Sequence, residues 1–112
     1  MPTLKSLLAA AAAIALCGHA AAETLQAEVN GMVCAFCVQG IEKNVRALPE
    51  TQDVYVNLQK RIVAVESKPG TRLAVEKFAD AVRHAGYDVV RIDTVPDSPR
   101  QLRERYARDE KQ

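Results

Sequence analysis

Residues 31–37, Gly31-Met32-Val33-Cys34-Ala35-Phe36-Cys37, place two thiols three positions apart, between two segments with different periods. Before them, residues 24–30 alternate apolar and polar side chains, which predicts a β-strand. After them, apolar side chains recur at helical spacing over residues 38–48, and Pro49 ends the helix. A Cys-x-x-Cys at a strand-to-helix junction brings both sulfurs to one point. Such a pair suits a soft metal ion or a disulfide.

The rest of the chain predicts three more strands and a second helix. Residues 54–58 and 62–66 alternate on either side of a polar turn, which is typical of a hairpin. A helix follows with Thr71 as its cap and Gly86 after its end, and its apolar face contains Val75, Phe78, Val82 and Ala85. A fourth strand ends near Thr94, with either Val89 or the pair Val90 and Ile92 facing inward. The order βαββαβ predicts an α+β, ferredoxin-like fold, an antiparallel four-stranded sheet with both helices on one face.

The first 22 residues are typical of a secretory signal peptide. A short positive segment ending at Lys5 is followed by an alanine-rich apolar run, and Ala20-Ala21-Ala22 offers a small-residue cleavage site. The apolar run is shorter than the roughly 20 residues that span a bilayer. We therefore expect a periplasmic protein whose domain covers residues 23–94. Cys17 would be removed with the signal peptide, which leaves Cys34 and Cys37 as the only cysteines.

Residues 95–112 form a charged tail with a helix-start signal. Ser98, Pro99 and Gln101 have the spacing of a capping box, and Leu102 and Tyr106 give one weak apolar stripe among arginines. The favoured interpretation is a solvated, partly frayed helix, and the alternative is a helix that docks on a partner.

Composition excludes several classes of partner. The 112 residues carry 15 basic and 14 acidic side chains and no tryptophan, so neither nucleic acid nor an acidic membrane surface is indicated. We expect a monomer. Two remaining cysteines are few for a small secreted domain held together by disulfides, which favours a working site over a structural crosslink.

The ligand count favours a soft ion of low coordination number. Thiolates are preferred by Cu(I), Hg(II), Zn(II) and Cd(II), but Zn(II) usually takes four protein ligands. His84 is predicted to lie on the outer side of the second helix, away from the cysteines. Cu(I) or Hg(II) is therefore favoured, with Zn(II) or Cd(II) second. Cys37 is expected in the first helical turn and Cys34 just before it, where the helix N-terminus favours the thiolate form.

Three neighbouring side chains have alternative interpretations. Met32 is favoured as a core residue over a thioether ligand. Phe36 is expected to be a partly exposed apolar cover or a docking contact. Tyr87 either supports the site through its hydroxyl or is a half-buried aromatic.

These features together resemble the heavy-metal-associated domain. The resemblance rests on Gly31-Met32-x-Cys34-x-x-Cys37, on the alternating strands and on Ala85-Gly86-Tyr87, and it covers about residues 24–93. That family includes copper chaperones, N-terminal domains of metal-pumping P-type ATPases and a periplasmic mercury-binding protein. It implies that Cys34 and Cys37 bind the metal ion and that a membrane metal transporter or P-type ATPase receives it. Ala35 and Phe36 depart from the small or polar residues common between the cysteines.

Two other functions remain open. A Cys-x-x-Cys at a helix start also serves thiol-disulfide exchange, so a periplasmic redox protein is the alternative to a metal carrier. The chain is short for a thioredoxin-like fold, and we expect no enzyme. A purely structural Cys34–Cys37 disulfide would close too short a loop to constrain the unfolded chain strongly.

Overall fold

Two helices lie against one face of a four-stranded antiparallel sheet, which confirms the predicted ferredoxin-like architecture. The computed structural model describes residues 22–31 and 34–110, so residues 1–21 of the predicted signal peptide lie outside the described residues. The elements are β1 (Thr24–Asn30), α1 (Ala35–Arg46), β2 (Thr51–Asn57), β3 (Ile62–Ser67), α2 (Val75–His84), β4 (Asp88–Val95) and α3 (Pro99–Glu110). The strand order in the sheet is β2-β3-β1-β4.

The core lies between the sheet and helices α1 and α2. At the centre of the sheet, Ala27 lies opposite Val63 on β3 and Ile92 on β4. The fully buried members of the core are Ala27, Val29, Ile41, Val45, Val63, Val65, Phe78 and Val82. Burying a large aliphatic or aromatic side chain contributes roughly 1.5–3 kcal/mol. We therefore expect the domain to fold without a bound metal ion.

The second helix starts later than the sequence predicts. Its N-cap is Ala74, without a side-chain hydrogen bond, whereas the Thr71 hydroxyl donates to the Lys68 carbonyl at 2.7 Å. Thr71 therefore closes the preceding turn, and the prediction that it caps the helix was wrong. Val75, which was predicted to lie on the apolar face, is the first helical residue and is 47% exposed. Gly86 follows the helix with φ +96°, as its predicted role requires.

A β-bulge explains why the inward side of β4 was ambiguous. Glu28 lies opposite Arg91 and Val29 lies opposite Val89, so Val90 is an extra residue without a partner. Val89 and Ile92 both pack against the core, although they are three positions apart, and Val90 is 51% exposed. Simple alternation cannot describe this strand.

The C-terminal helix is packed against the sheet, which corrects the expectation of a solvated, frayed tail. Ser98 and Gln101 form the predicted capping box, with reciprocal bonds of 2.8 and 3.2 Å between backbone N–H groups and side-chain oxygens. Helix α3 lies on β2 and β3, and its Leu102 is 1% exposed. Tyr55, which α3 covers, alternates with the core residue Val54, so α3 lies on the face opposite α1 and α2. The helix that the capping box predicts is therefore present, but it is docked on the domain rather than solvated.

Across residues 22–31 and 34–110, no helix has the length and apolarity needed to cross a membrane.

Candidate metal centre

Both cysteines lie where the loop after β1 enters α1. Cys34 is the N-cap residue, with extended backbone angles of φ −147° and ψ 153°, and Cys37 is the third residue of the helix. The Cys37 N–H donates to the Cys34 carbonyl at 3.1 Å, and this bond closes the turn that joins the two residues. Their Cα atoms are 5.4 Å apart, and the two sulfurs form a disulfide. The predicted pair is therefore in mutual contact. Cys34 is exposed and Cys37 is half-buried.

The start of α1 is electrostatically suited to an anionic sulfur. The first turn of a helix has backbone N–H groups without intrahelical acceptors and carries a partial positive charge. No acidic side chain occupies that turn of α1, so nothing in it offsets the positive end of the helix dipole. Once the disulfide is reduced, the thiolate forms of Cys34 and Cys37 are stabilised there without a neighbouring cation.

Gly31 and Tyr87 fix the loop against the body of the domain. Gly31 has φ +96°, a backbone conformation that L-residues with a side chain rarely adopt. A Cβ atom on Gly31 would lie 3.2 Å from Cδ1 of Tyr87, whose half-buried ring packs against the core. Of the two interpretations of Tyr87, the structure favours the half-buried aromatic. The ring leaves little room for a side chain at Gly31.

The β2–β3 turn at the cysteine end of the sheet is held by a residue that sequence reasoning missed. Asn57, 8% exposed, accepts from the Lys60 N–H at 2.9 Å and donates to the Tyr55 hydroxyl at 2.8 Å. The Arg61 carbonyl then accepts from the Val29 N–H at 2.9 Å, which places the turn beside the end of β1. An asparagine immediately before a polar turn was the available signal.

The other side chains considered from the sequence are His84, Met32 and Phe36. His84 is exposed, and its Nδ1 lies 2.7 Å from the Asp80 carbonyl one helical turn earlier, as expected of a surface histidine. Met32 is outside the described residues. Phe36 is 84% exposed, more than the partial exposure expected. In the described part of the chain, no group of three or more His, Cys, Asp or Glu side chains could hold a metal ion. Those residues thus provide no closed zinc site.

This chain is similar to a known protein family and to proteins of known name. Residues 27–88, more than half of the chain, match the model of the heavy-metal-associated domain. The copper chaperone CopZ of Bacillus subtilis is 39% identical over 69 residues, which are 62% of this chain and 96% of CopZ. Copper-transporting ATPase 1 of Rhizobium meliloti is 41% identical over 61 residues, or 54% of this chain, and the match spans only 7% of the ATPase.

The solved structures agree with this assignment. A structure of the CopZ metallochaperone superposes with a TM-score of 0.56 at 30% identity and covers 60% of this chain and 98% of that protein. Both CopZ matches, over 96% of the relative and 98% of the solved structure, are to proteins named as copper or metal chaperones rather than as enzymes. On the strength of the match over residues 27–88, the chain belongs to the heavy-metal-associated domain family.

Proposed function

We propose that the protein is an exported carrier that binds one Cu(I) through the thiolates of Cys34 and Cys37 and transfers it to a membrane copper ATPase or another thiol site. One observation carries the proposal. Two cysteines lie together at an exposed helix start in a chain that aligns with 96% of a copper chaperone. The exposure of Cys34 supports transfer, because an incoming thiolate can reach the ion from solvent.

The choice of Cu(I) over Hg(II) follows from the relatives rather than from the sulfur chemistry. Two thiolates satisfy either ion, since both tolerate low coordination numbers. The matched chaperone and ATPases are named for copper. Hg(II) is the second candidate, and Zn(II) and Cd(II) follow because they prefer more ligands.

Loading requires reduction of the disulfide. A dithiol reductant supplies two electrons and two protons, which convert the Cys34–Cys37 disulfide to two thiols while the reductant is itself oxidised to a disulfide. Cu(I) then replaces the two thiol protons. In an oxidising compartment such as the periplasm, metal binding therefore depends on a supply of reducing equivalents.

The periplasmic location is part of the proposal and is supported by residues 1–22, with their positive start, apolar run and small-residue cleavage site. N-terminal sequencing of the protein recovered from a periplasmic extract tests it. A mature N-terminus at Glu23 is expected, and an intact Met1 in the cytoplasmic fraction would contradict export.

Metal binding is tested by titrating the reduced protein with Cu(I) in competition with bicinchoninate. We expect one Cu(I) per chain in the reduced protein and none in the oxidised protein. Cys34→Ser and Cys37→Ser should each abolish tight binding, whereas the control His84→Ala should bind as the unsubstituted protein does. Stoichiometric Cu(I) binding by a double cysteine variant would refute the proposal. A parallel titration with Hg(II) ranks the two ions.

A second function is favoured by the disulfide itself. A Cys-x-x-Cys disulfide at a helix N-terminus is also the arrangement of thiol-disulfide exchange proteins. Insulin reduction in the presence of dithiothreitol separates the two functions. A carrier should not accelerate insulin precipitation above the rate with dithiothreitol alone, and acceleration comparable to that by thioredoxin would support the redox function.

A further inference from the structure

The C-terminal helix runs along the outer face of the sheet and ends beside the β2–β3 turn. It starts at Pro99, after β4 has reached the end of the domain away from the cysteines. Near its other end, Tyr106 and Asp109 line a cleft of about 140 Å³ with residues at the turn, among them Asn57 and Lys60. The last turns of α3 therefore lie at the cysteine end of the sheet.

A chain of direct contacts joins Tyr106 to the β2–β3 turn. Its ring stacks on the ring of Tyr55. The Tyr55 hydroxyl accepts a hydrogen bond from the Asn57 side-chain amide at 2.8 Å, and the Asn57 side-chain oxygen accepts one from the Lys60 N–H at 2.9 Å. Asn57 is 8% exposed, so losing either partner would leave a polar group buried without one. The position of the Tyr55 ring is thus linked to the conformation of the turn.

The turn depends on such contacts, because one of its residues has a strained backbone. Within residues 22–31 and 34–110, Arg61 is the only residue other than glycine with a positive φ, +58°. A conformation of this kind persists only where surrounding contacts offset its cost. The Arg61 carbonyl accepts from the Val29 N–H at 2.9 Å, so the turn and the end of β1 are positioned together. Val29 lies two residues before Gly31, where the loop that joins β1 to α1 begins.

The position of that loop bears on how long a metal ion stays bound. Cys34 ends the loop as the N-cap residue, whereas Cys37 is part of α1. A shift of the loop therefore moves one sulfur relative to the other. An ion held by two sulfurs is lost once one of them moves away, so contacts that hold the loop in place slow this loss.

We propose that α3 restrains the loop between β1 and α1 and thereby slows the loss of Cu(I). Tyr106 is the positioning residue, and it acts through Tyr55 and Asn57 on the turn that holds the end of β1. The effect on Cu(I) rests on the proposed function, whereas the restraint of β1 requires no metal ion. The competing role for α3 is that of a cover for the sheet, which would add stability without restraining the loop.

The restraint is tested first in the reduced, metal-free protein, by amide hydrogen exchange followed by NMR. Tyr55→Phe removes the hydroxyl that accepts from Asn57, and Tyr106→Ala removes the stacked ring. Each should speed exchange at Val29 about tenfold relative to Ala27, at the centre of the sheet. Tyr106→Phe removes the same hydroxyl atom as Tyr55→Phe but keeps the stack, so it should leave this ratio unchanged. A loss of global stability alone would not raise the ratio.

Loss of Cu(I) is measured by mixing the loaded protein with an excess of bathocuproine disulfonate and following the absorbance of the chelate. Tyr55→Phe and Tyr106→Ala should each release Cu(I) about tenfold faster than the unsubstituted protein, and Tyr106→Phe at the unsubstituted rate. Leu73→Ala is the control for lost stability. Leu73 is 5% exposed in the core and shortly precedes α2, at the end of the domain away from the cysteines. This variant should also release Cu(I) at the unsubstituted rate.

The outcomes separate the two proposals. If the unsubstituted reduced protein binds no Cu(I), the proposed function fails, and the restraint of β1 stands or falls on the exchange ratio of Val29. An unchanged ratio in Tyr55→Phe and Tyr106→Ala would overturn the restraint. If Cu(I) binds but Tyr106→Ala and Tyr106→Phe release it at the same rate, α3 is a cover and the inference is overturned. Faster release from Leu73→Ala would assign the effect to stability and overturn the positioning role.

Discussion

The rings of Tyr55 and Tyr106 stack with centroids 6.2 Å apart and planes 10° from parallel. This contact joins the C-terminal helix to β2 on the face of the sheet that α1 and α2 leave uncovered. The Arg103 guanidinium lies 5.7 Å from the centroid of the Tyr55 ring and donates to the Val54 carbonyl at 3.3 Å, so it covers the same ring. Arginines that suggested a solvated tail are thus held in contacts with the domain.

Leu102 should contribute strongly to stability, because it is 1% exposed between α3 and the sheet. Leu102→Ala is expected to lower the free energy of unfolding by roughly 2–5 kcal/mol, from lost burial and the remaining cavity. Urea unfolding followed by circular dichroism measures it. The exposed Arg108→Ala on the same helix is the control. A change within about 0.5 kcal/mol for Leu102→Ala, the range of surface substitutions, would mean that α3 is not docked in solution.

Gly31 should be required for both conformational and steric reasons, and the chain contains a control that separates them. Gly31 and Gly86 share φ +96°, but an added Cβ meets the Tyr87 ring at 3.2 Å only at Gly31, whereas nothing lies within 4 Å at Gly86. Gly86→Ala should cost about 1–2 kcal/mol from the left-handed backbone alone. Gly31→Ala should cost more and weaken Cu(I) binding, because the loop carrying Cys34 must shift.

Thermal unfolding and Cu(I) competition measure these two effects. Equal stability losses in the two glycine variants would show that the Tyr87 ring moves aside without lowering the stability of the folded protein. An unchanged Cu(I) affinity in Gly31→Ala would show that a shift of the loop does not change the positions of the two sulfurs.

Reduction of the Cys34–Cys37 disulfide should leave the fold intact. A disulfide that closes so short a loop contributes no more than roughly 2 kcal/mol in the chain-entropy account, and the core between the sheet and helices does not depend on it. We expect cooperative thermal unfolding with and without a phosphine reductant, with a modestly lower midpoint in its presence. The Cys34→Ser, Cys37→Ser double variant should not respond to the reductant. Loss of cooperative unfolding on reduction would contradict the metal-independent fold.

Glu50 should titrate below its ordinary range. A hydrogen bond from its own backbone N–H and the Lys77 ammonium, 3.3 Å from Oε1, lower the pKa of the carboxyl. A lowered folded-state pKa stabilises the protein above the unfolded pKa, and this contribution is lost as the pH falls through the folded value. Carbon-detected NMR titration should show the shift, and Lys77→Met should raise the pKa toward normal. An unchanged pKa in Lys77→Met would assign the shift to the backbone bond alone.

The sequence predicted best the strands in which apolar and polar side chains alternate regularly. Residues 24–30 alternate without interruption, and β1 has the predicted bounds. The bulge in β4 breaks this alternation, because β4 has one residue more than the segment of β1 that it pairs with. Only the pairing of the two strands shows where that extra residue lies. Thr71 had the right chemistry for a cap, but its hydroxyl bonds within the preceding turn instead. Local patterns cannot choose between the helix N–H groups from which a capping hydroxyl would accept and the turn carbonyl to which this hydroxyl donates.

The cysteine pair was predictable and its surroundings were not. Two thiols three positions apart before a helical pattern indicate a shared site whatever the rest of the chain does. Gly31 and Tyr87 are 56 positions apart in the chain, and the stacked Tyr55 and Tyr106 are 51 positions apart. Such contacts depend on how the elements assemble, which single-sequence periodicity does not encode.

The docked C-terminal helix has a practical consequence for where this protein can be cut. The family match ends at residue 88, and a fragment trimmed after Val95 would contain every strand and both inner helices. It would nevertheless bare the side chain of Ala64, now 0% exposed, together with the ring of Tyr55 on the neighbouring strand. An exposed apolar strip on a sheet favours self-association. Such a minimal fragment is expected to be less soluble than its parent, so expression work should retain residues through 110.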